Sequence, residues 1–120
     1  MAGRDITGAV DFAYLEAYAG GDVGLVEEVL GLFRQQADIW RPLLRASDEG
    51  WLDAAHTLKG ASRGIGAGRL AGACKAAEEA AGEPALAEVR LEVVQSELDS
   101  ALADIAAYQH QKALDGLRTP

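Results

Sequence analysis

The chain has 120 residues, 49% of them hydrophobic, and a formal net charge of −8. That length suits one domain with a sizeable core, and the acidic balance argues against general nucleic-acid binding. No apolar run approaches the roughly 20 residues of a membrane span, and Met1-Ala2-Gly3-Arg4-Asp5 is no secretory leader, so a cytoplasmic protein with no membrane partner is expected.

Only three prolines interrupt a chain rich in alanine and leucine, which favours an all-helical fold. Residues 1–10 read as a loosely held end. Asp11 is placed to cap a short helix from Phe12 to about Tyr18, with Phe12, Leu15 and Tyr18 on one face. Gly20-Gly21 ends it, and Asp22 caps a long second helix reaching from Val23 to about Ala46. Its apolar stripe is Val26, Leu30, Phe33, Ala37, Trp40 and Leu44, spaced 4, 3, 4, 3, 4 where a strand would alternate by two. Pro42 lacks an amide donor and should kink this helix or mark a restart. Gly31 costs roughly 1 kcal/mol in a helix interior, and close approach of the first helix is the expected reason for it.

Ser47-Asp48-Glu49-Gly50 is a turn, and the third helix runs from Trp51 to about Arg63, with Leu52, Ala55, Leu58, Ser62 and Ile65 turned inward. Gly64, Gly66 and Gly68 break it. The fourth helix begins near Ala67 to Leu70 and reaches Ala81, with Leu70, Cys74, Ala77 and Ala81 inward. Gly72 and the surrounding alanines imply tight packing. Pro84 fits the first turn of the last helix, expected from Ala85 to about Gln111. Its stripe is Leu91, Val94, Leu98, Ala101, Ile105 and Tyr108, and residues 112–120 read as a flexible end. Short turns make neighbours antiparallel, so residues 1–120 should form an up-down-up-down antiparallel four-helix bundle with one additional short N-terminal helix.

The third helix carries the chemistry. His56, Lys59, Gly60 and Arg63 fall at i, i+3, i+4 and i+7, which is one helix face. A nucleophilic imidazole thus stands beside a residue with no side chain and near two cations. This suits a group that is approached closely and then carries negative charge. The charge distribution agrees: His56 to Ala77 holds four cations (Lys59, Arg63, Arg69, Lys75) and no acid, leaving 7 cations against 19 acids elsewhere. A basic island on an acidic body points to a local anionic target.

Other chemistries find little support. The lone cysteine, Cys74, lies on an apolar stripe and excludes an internal disulfide or a multi-cysteine metal site. His56 and His110 stand on different helices, and no Glu-x-x-His pair occurs, so no metal site is expected. His110 lies near the expected C-terminus of the last helix, where a cation is welcome. Ser62 is six residues from His56 with no acid near in sequence, which disfavours a hydrolase triad. Gly64-Ile65-Gly66-Ala67-Gly68 has no preceding strand and reads as a helix break rather than a nucleotide loop.

The motif His56-x-x-Lys59-Gly60-x-Ser62, followed by Gly66-Ala67 and by Cys74-x-x-x-Glu78, resembles the histidine-containing phosphotransfer (HPt) domains of two-component phosphorelays. Gly20-Gly21-Asp22 and Phe33 also fit that family, and the match runs from about residue 11 to 108. The resemblance implies that His56 accepts a phosphoryl group from an aspartyl phosphate on a receiver domain and passes it to another receiver. It implies that Lys59 neutralises phosphate oxygens, that Gly60 leaves room for the receiver, and that Glu78 orients the imidazole. Arg63 supplies a second cation on that face. Magnesium would come from the receiver, so the chain is expected to need no cofactor of its own, to have no kinase activity and to act as a monomer. Phe12 and Leu15 are expected to extend the partner surface.

Three other readings compete with this one. Histidine-kinase phosphoacceptor domains usually place an acid after the histidine, whereas Thr57 follows His56. A non-catalytic four-helix adaptor would bind or sequester a response regulator without phosphotransfer. A plain structural protein would leave Gly60 and the basic island unexplained.

Overall fold

The computed structural model describes residues 6–118. Its helices are α1 (Phe12–Tyr18), α2 (Val23–Trp40), α3 (Trp51–Gly64), α4 (Gly68–Glu78) and α5 (Pro84–Arg118), with a 3-10 turn at Arg41–Leu43. Helices α2 to α5 form the up-down-up-down bundle and α1 is the additional short helix. The long dimension is 57 Å. At about 1.5 Å per residue, the 35 residues of α5 nearly span it, so α5 is the spine on which the shorter helices pack. Among the described residues there is no strand, and no helix is long and apolar enough to cross a membrane.

The helix ends follow from local chemistry. Asp11 Oδ1 accepts the Tyr14 amide at 3.0 Å, and Asp22 Oδ1 accepts the Leu25 amide at 3.1 Å, so both aspartates cap as expected. Pro42 stops α2 at Trp40, earlier than the apolar stripe alone suggests, and leaves one tighter turn before the chain reverses. Gly66 has φ +79°, and a Cβ there would lie 3.0 Å from the Asp11 carbonyl oxygen. That carbonyl can approach only because Gly66 has no side chain, and Gly66 in turn accepts the Asp11 amide at 3.0 Å. This contact fixes α1 beside the α3–α4 corner.

The stripes pack as a single core. Val26, Leu30, Phe33 and Ala37 of α2 meet Ala54 and Leu58 of α3, Leu70, Cys74 and Ala77 of α4, and Leu91, Val94, Leu98 and Ile105 of α5. Cys74 is fully buried, and burial pushes its thiol up to about 12, with the Glu78 charge adding to the effect, so it is an inert core residue. Phe12 stacks on Tyr108 with ring centroids 4.2 Å apart, which joins α1 to α5.

The structure corrects several expectations. Residues 6–10 are held rather than loose: Ala9 and Val10 are buried, and Asp104 anchors the segment. The Thr7 and Ala9 amides donate to Asp104 Oδ1 and Oδ2, each at 2.8 Å, and the Thr7 hydroxyl donates to Oδ1 at 3.1 Å. Residues 1–5 and 119–120 lie outside the described residues. Helix α5 continues through Arg118, past the expected end at Gln111. Lys112 reaches Glu16 at 3.5 Å and covers the Tyr108 ring, and Gln111 bonds Asp115, which supports the extra turns. His110 is therefore exposed in mid-helix, not at a helix end.

Tyr18 is 79% exposed, while Phe12 and Leu15 are buried, so neither of the latter is available to a partner. The short helix spends those two side chains on the core and turns Tyr14 and Tyr18 outward. Leu52 is exposed and Ala54 takes its inward place; Ala80 rather than Ala81 is buried, because α4 ends at Glu78 and the chain turns. Gly31 and Gly72 have no atom within 4 Å of where a Cβ would stand, so close helix approach explains neither.

Candidate functional site

Helix α3 presents two faces. Ala54, Ala55, Leu58 and Ser62 point into the bundle, and Ser62 is tolerated there because its hydroxyl donates to the Leu58 carbonyl at 2.6 Å. His56, Gly60 and Arg63 point to solvent, and the His56 side chain is 71% exposed. No atom lies within 4 Å of a Cβ built on Gly60, so the space beside His56 is open.

After the Ile65–Ala67 corner, α4 runs back along α3 and carries its last residue, Glu78, opposite His56. Glu78 Oε2 lies 3.0 Å from His56 Nδ1, and Glu78 Oε1 lies 2.7 Å from Lys59 Nζ. Lys59 and Glu78 are largely covered, with side chains 16% and 20% exposed. A carboxylate at a helix C-terminus faces the negative end of the macrodipole and needs a cation; Lys59 supplies it. Burial alone would raise the Glu78 carboxyl, but the hydrogen bonds from Lys59 and His56 and their positive charge outweigh that and hold it below the ordinary carboxylate value.

A depressed carboxyl stabilises the fold above its unfolded value, and that contribution is lost as pH falls through the lower folded value. Melting curves of the wild type and Glu78→Gln should therefore diverge at pH 6 and converge on acidification below about 4.5, the ordinary carboxylate value. A gap that stays constant to pH 3 would contradict the ion pair.

An ionised carboxylate only accepts hydrogen bonds. The Glu78 contact therefore assigns the proton to His56 Nδ1 and leaves the Nε2 lone pair of the neutral ring free, on the exposed side. In the neutral ring the contact thus favours the tautomer protonated at Nδ1.

The basic island is smaller in space than in sequence. Lys59 is spent on Glu78, and Arg69 pairs with Glu97 of α5 at 3.3 Å. Among the described residues, Arg63 and Lys75 make no ion pair, and of these Arg63 shares the His56 face. Beyond Arg63 the face continues into a cleft of about 280 Å³ lined by Asp11, Tyr14, Arg63, Gly66 and Gly68. Tyr14 is thus the α1 residue next to this face. An outward α1 position could have been found from the helical wheel once Phe12 and Leu15 were assigned inward. Among the described residues, no three potential metal ligands cluster.

A family model described as Hpt domain matches residues 25–108. The crystal structure of histidine phosphotransferase ShpA from Caulobacter crescentus is 52% identical in sequence and superposes with a TM-score of 0.81, covering 92% of this chain and 100% of that one. No curated protein matches the chain.

Proposed function

The chain belongs to the Hpt domain family and is a phosphorelay intermediate, and we propose that His56 Nε2 is the atom that carries its phosphoryl group. The observation that supports this is the 3.0 Å contact between Nδ1 and Glu78, which leaves Nε2 unprotonated beside the open space at Gly60. The family works with receiver domains, whose aspartyl phosphate is the donor.

In the forward step the Nε2 lone pair attacks phosphorus in line. The N–P bond forms as the P–O bond to the receiver aspartate breaks, and that electron pair returns to the aspartate carboxylate. No proton needs to leave Nε2, because the proton already sits on Nδ1. Such a transfer asks for positioning and charge stabilisation more than for acid–base groups.

The geometry supports one role for each neighbouring residue. Glu78 holds the ring orientation and tautomer. Lys59 neutralises Glu78, so that a carboxylate near the phosphoryl group does not repel it; this differs from a lysine reserved for phosphate oxygens. Arg63 is the cation left for the phosphoryl group or for the acidic site of the receiver. Gly60 admits the partner backbone. In this proposal the divalent ion belongs to the receiver, and the chain has no cofactor and no kinase activity of its own. It acts in the cytoplasm as a monomer.

The test against a non-catalytic adaptor is His56→Gln, which keeps a polar side chain on an exposed position. Binding of the receiver should persist within a few-fold, and signalling output in cells should be lost. Full output from this variant would favour the adaptor.

A further inference from the structure

The α3–α4 hairpin sorts surface charge by its two ends. The segment without acids, His56 to Ala77, runs along the second half of α3, round the Ile65–Ala67 corner and back along most of α4. The two helices are antiparallel, so the cations of this segment gather toward the corner. The acids that flank it, Glu49 and Asp53 before and Glu78, Glu79 and Glu83 after, gather at the open end. His56 stands where the two ends meet. We propose that this polarity, basic toward the corner and acidic away from it, sets the orientation in which a receiver domain docks over His56. The proposal rests on His56 as the phosphoryl carrier and on a receiver as its partner.

Ion pairing inside the fold decides which charges a partner meets. Lys59 is offset by Glu78, and Arg69 by Glu97 of α5. Toward the corner this leaves Arg63 and Lys75, and toward the open end Asp53 and Glu79. All four are exposed, and among the described residues none of them makes an ion pair. Asp53, His56, Gly60 and Arg63 stand at i, i+3, i+7 and i+10 of α3, one outward face. Over about 15 Å that face reads acid, imidazole, open space and cation. The contacts of Glu78 with His56 and Lys59 fix the register of the hairpin. Lys75, one turn before Glu78, therefore lies near the level of Gly60, and Glu79 near the level of His56. The cation and the acid of α4 repeat the order found on α3.

A face of one sign would attract or repel a partner without orienting it. In-line attack by Nε2 needs one orientation, because a misplaced donor loses the near-attack geometry. Charges at the rim of an interface act on register and encounter rate more than on affinity. The partner that fits presents carboxylates over Arg63 and Lys75 and a cation over Asp53 and Glu79. A receiver with the converse rim meets like charges at both ends and is rejected.

The test exchanges the ends in one variant, Asp53→Lys with Lys75→Asp. The net charge of −8 is unchanged, so general attraction is kept and only the polarity is inverted. A second variant, Asp53→Asn with Lys75→Gln, removes the polarity at these positions without inverting it. Phosphoramidate labels His56 without a docked protein and reports an intact site in each chain. A phosphorylated receiver domain that transfers to the wild type then serves as donor, and kcat/KM is measured at two salt concentrations. Between about 0.1 M and about 1 M the screening length falls from about 10 Å to about 3 Å. At the lower salt kcat/KM should fall about 10-fold in the exchange variant, with the neutral variant between it and the wild type. At the higher salt the three should converge, which a loss of packing or folding would not produce. A kcat/KM within about 2-fold of the wild type in the exchange variant, or a deficit that persists at high salt, would overturn this inference alone. Should the exchange variant fail to fold, a neutral variant equal to the wild type at low salt would overturn it in the same way. Absence of phosphohistidine at position 56 of the wild type, from phosphoramidate and from the receiver alike, would overturn the assignment of His56 beneath it.

Discussion

Gly60→Glu is expected to slow phosphoryl transfer by about 100-fold or more while leaving the bundle folded. Space and charge both lead there. No atom lies within 4 Å of a Cβ at Gly60, so the folded chain accepts a side chain without strain. Glycine-to-glutamate also recovers part of the roughly 1 kcal/mol that glycine costs a helix interior. The harm falls on the encounter. The new side chain stands one turn from His56, where the partner must come within bonding distance of Nε2. Its carboxylate faces the phosphoryl oxygens and competes for Arg63 three residues on. A displacement of about 1 Å in a near-attack geometry already costs on the order of 100-fold, and like-charge repulsion adds to it. Gly60→Ala should lose far less, because a methyl group adds little bulk and no charge. Rapid-quench transfer from a phosphorylated receiver, beside a thermal melt, reads both quantities. A normal rate in the glutamate variant would remove α3 from the transfer surface.

Asp104→Ala should have the largest effect on stability. Asp104 is fully buried on α5 and is the acceptor for the Thr7 and Ala9 amides and for the Thr7 hydroxyl. Removing it leaves two amides without their acceptor and frees residues 6–10 from the bundle. Hydrogen bonds to a charged group contribute about 1.5–3 kcal/mol each, and unsatisfied buried donors cost about 1–3 kcal/mol. Because the freed segment can rehydrate its amides, about 2–4 kcal/mol in total is the expected loss, or roughly 10–15 °C in melting temperature for a chain of this size. Asp104→Asn should lose less, since its carbonyl oxygen still accepts one amide. Transfer at low temperature should be unaffected in both. Melting within 2 °C of the wild type for Asp104→Ala, a margin of about 0.5 kcal/mol, would contradict the anchoring role.

How much of this was legible in the sequence depended on the distance over which each signal acts. The α2 stripe, the caps at Asp11 and Asp22 and the stop at Pro42 are local, and the helices begin and end close to them. The His56–Gly60–Arg63 face is equally local, since helix geometry alone places those residues together. Glu78 is different. Its position opposite His56 depends on the register of two helices joined at the Ile65–Ala67 corner, so only the likeness to a family pointed to it. The same blindness overstated the basic island, because Glu78 and Glu97 come from outside the acid-free segment.

The N-terminal residues show the limit most clearly. Nothing near Thr7 or Ala9 signals that they are held, because their partner is 97 and 95 positions away. A hint was present: Asp104 falls between Ala101 and Tyr108 on the inward stripe of α5, where a carboxylate must find donors. On α1, the i, i+3 spacing puts Phe12, Leu15 and Tyr18 on one face but does not say whether that face meets the core or a partner. A seven-residue helix lying against the α3–α4 corner buries only the first two. Helix α5 runs past Gln111 for a related reason: Lys112 is tied to Glu16 of α1, a contact between elements distant in sequence.

The most direct measurement incubates the purified chain with a phosphorylated receiver domain and magnesium and follows the phosphate. The account predicts rapid loss of label from the receiver and gain of acid-labile, base-stable phosphate on this chain, located on His56 and absent in His56→Gln. Label that remains on receivers that bind the chain, or that reaches the chain equally well in His56→Gln, would contradict it.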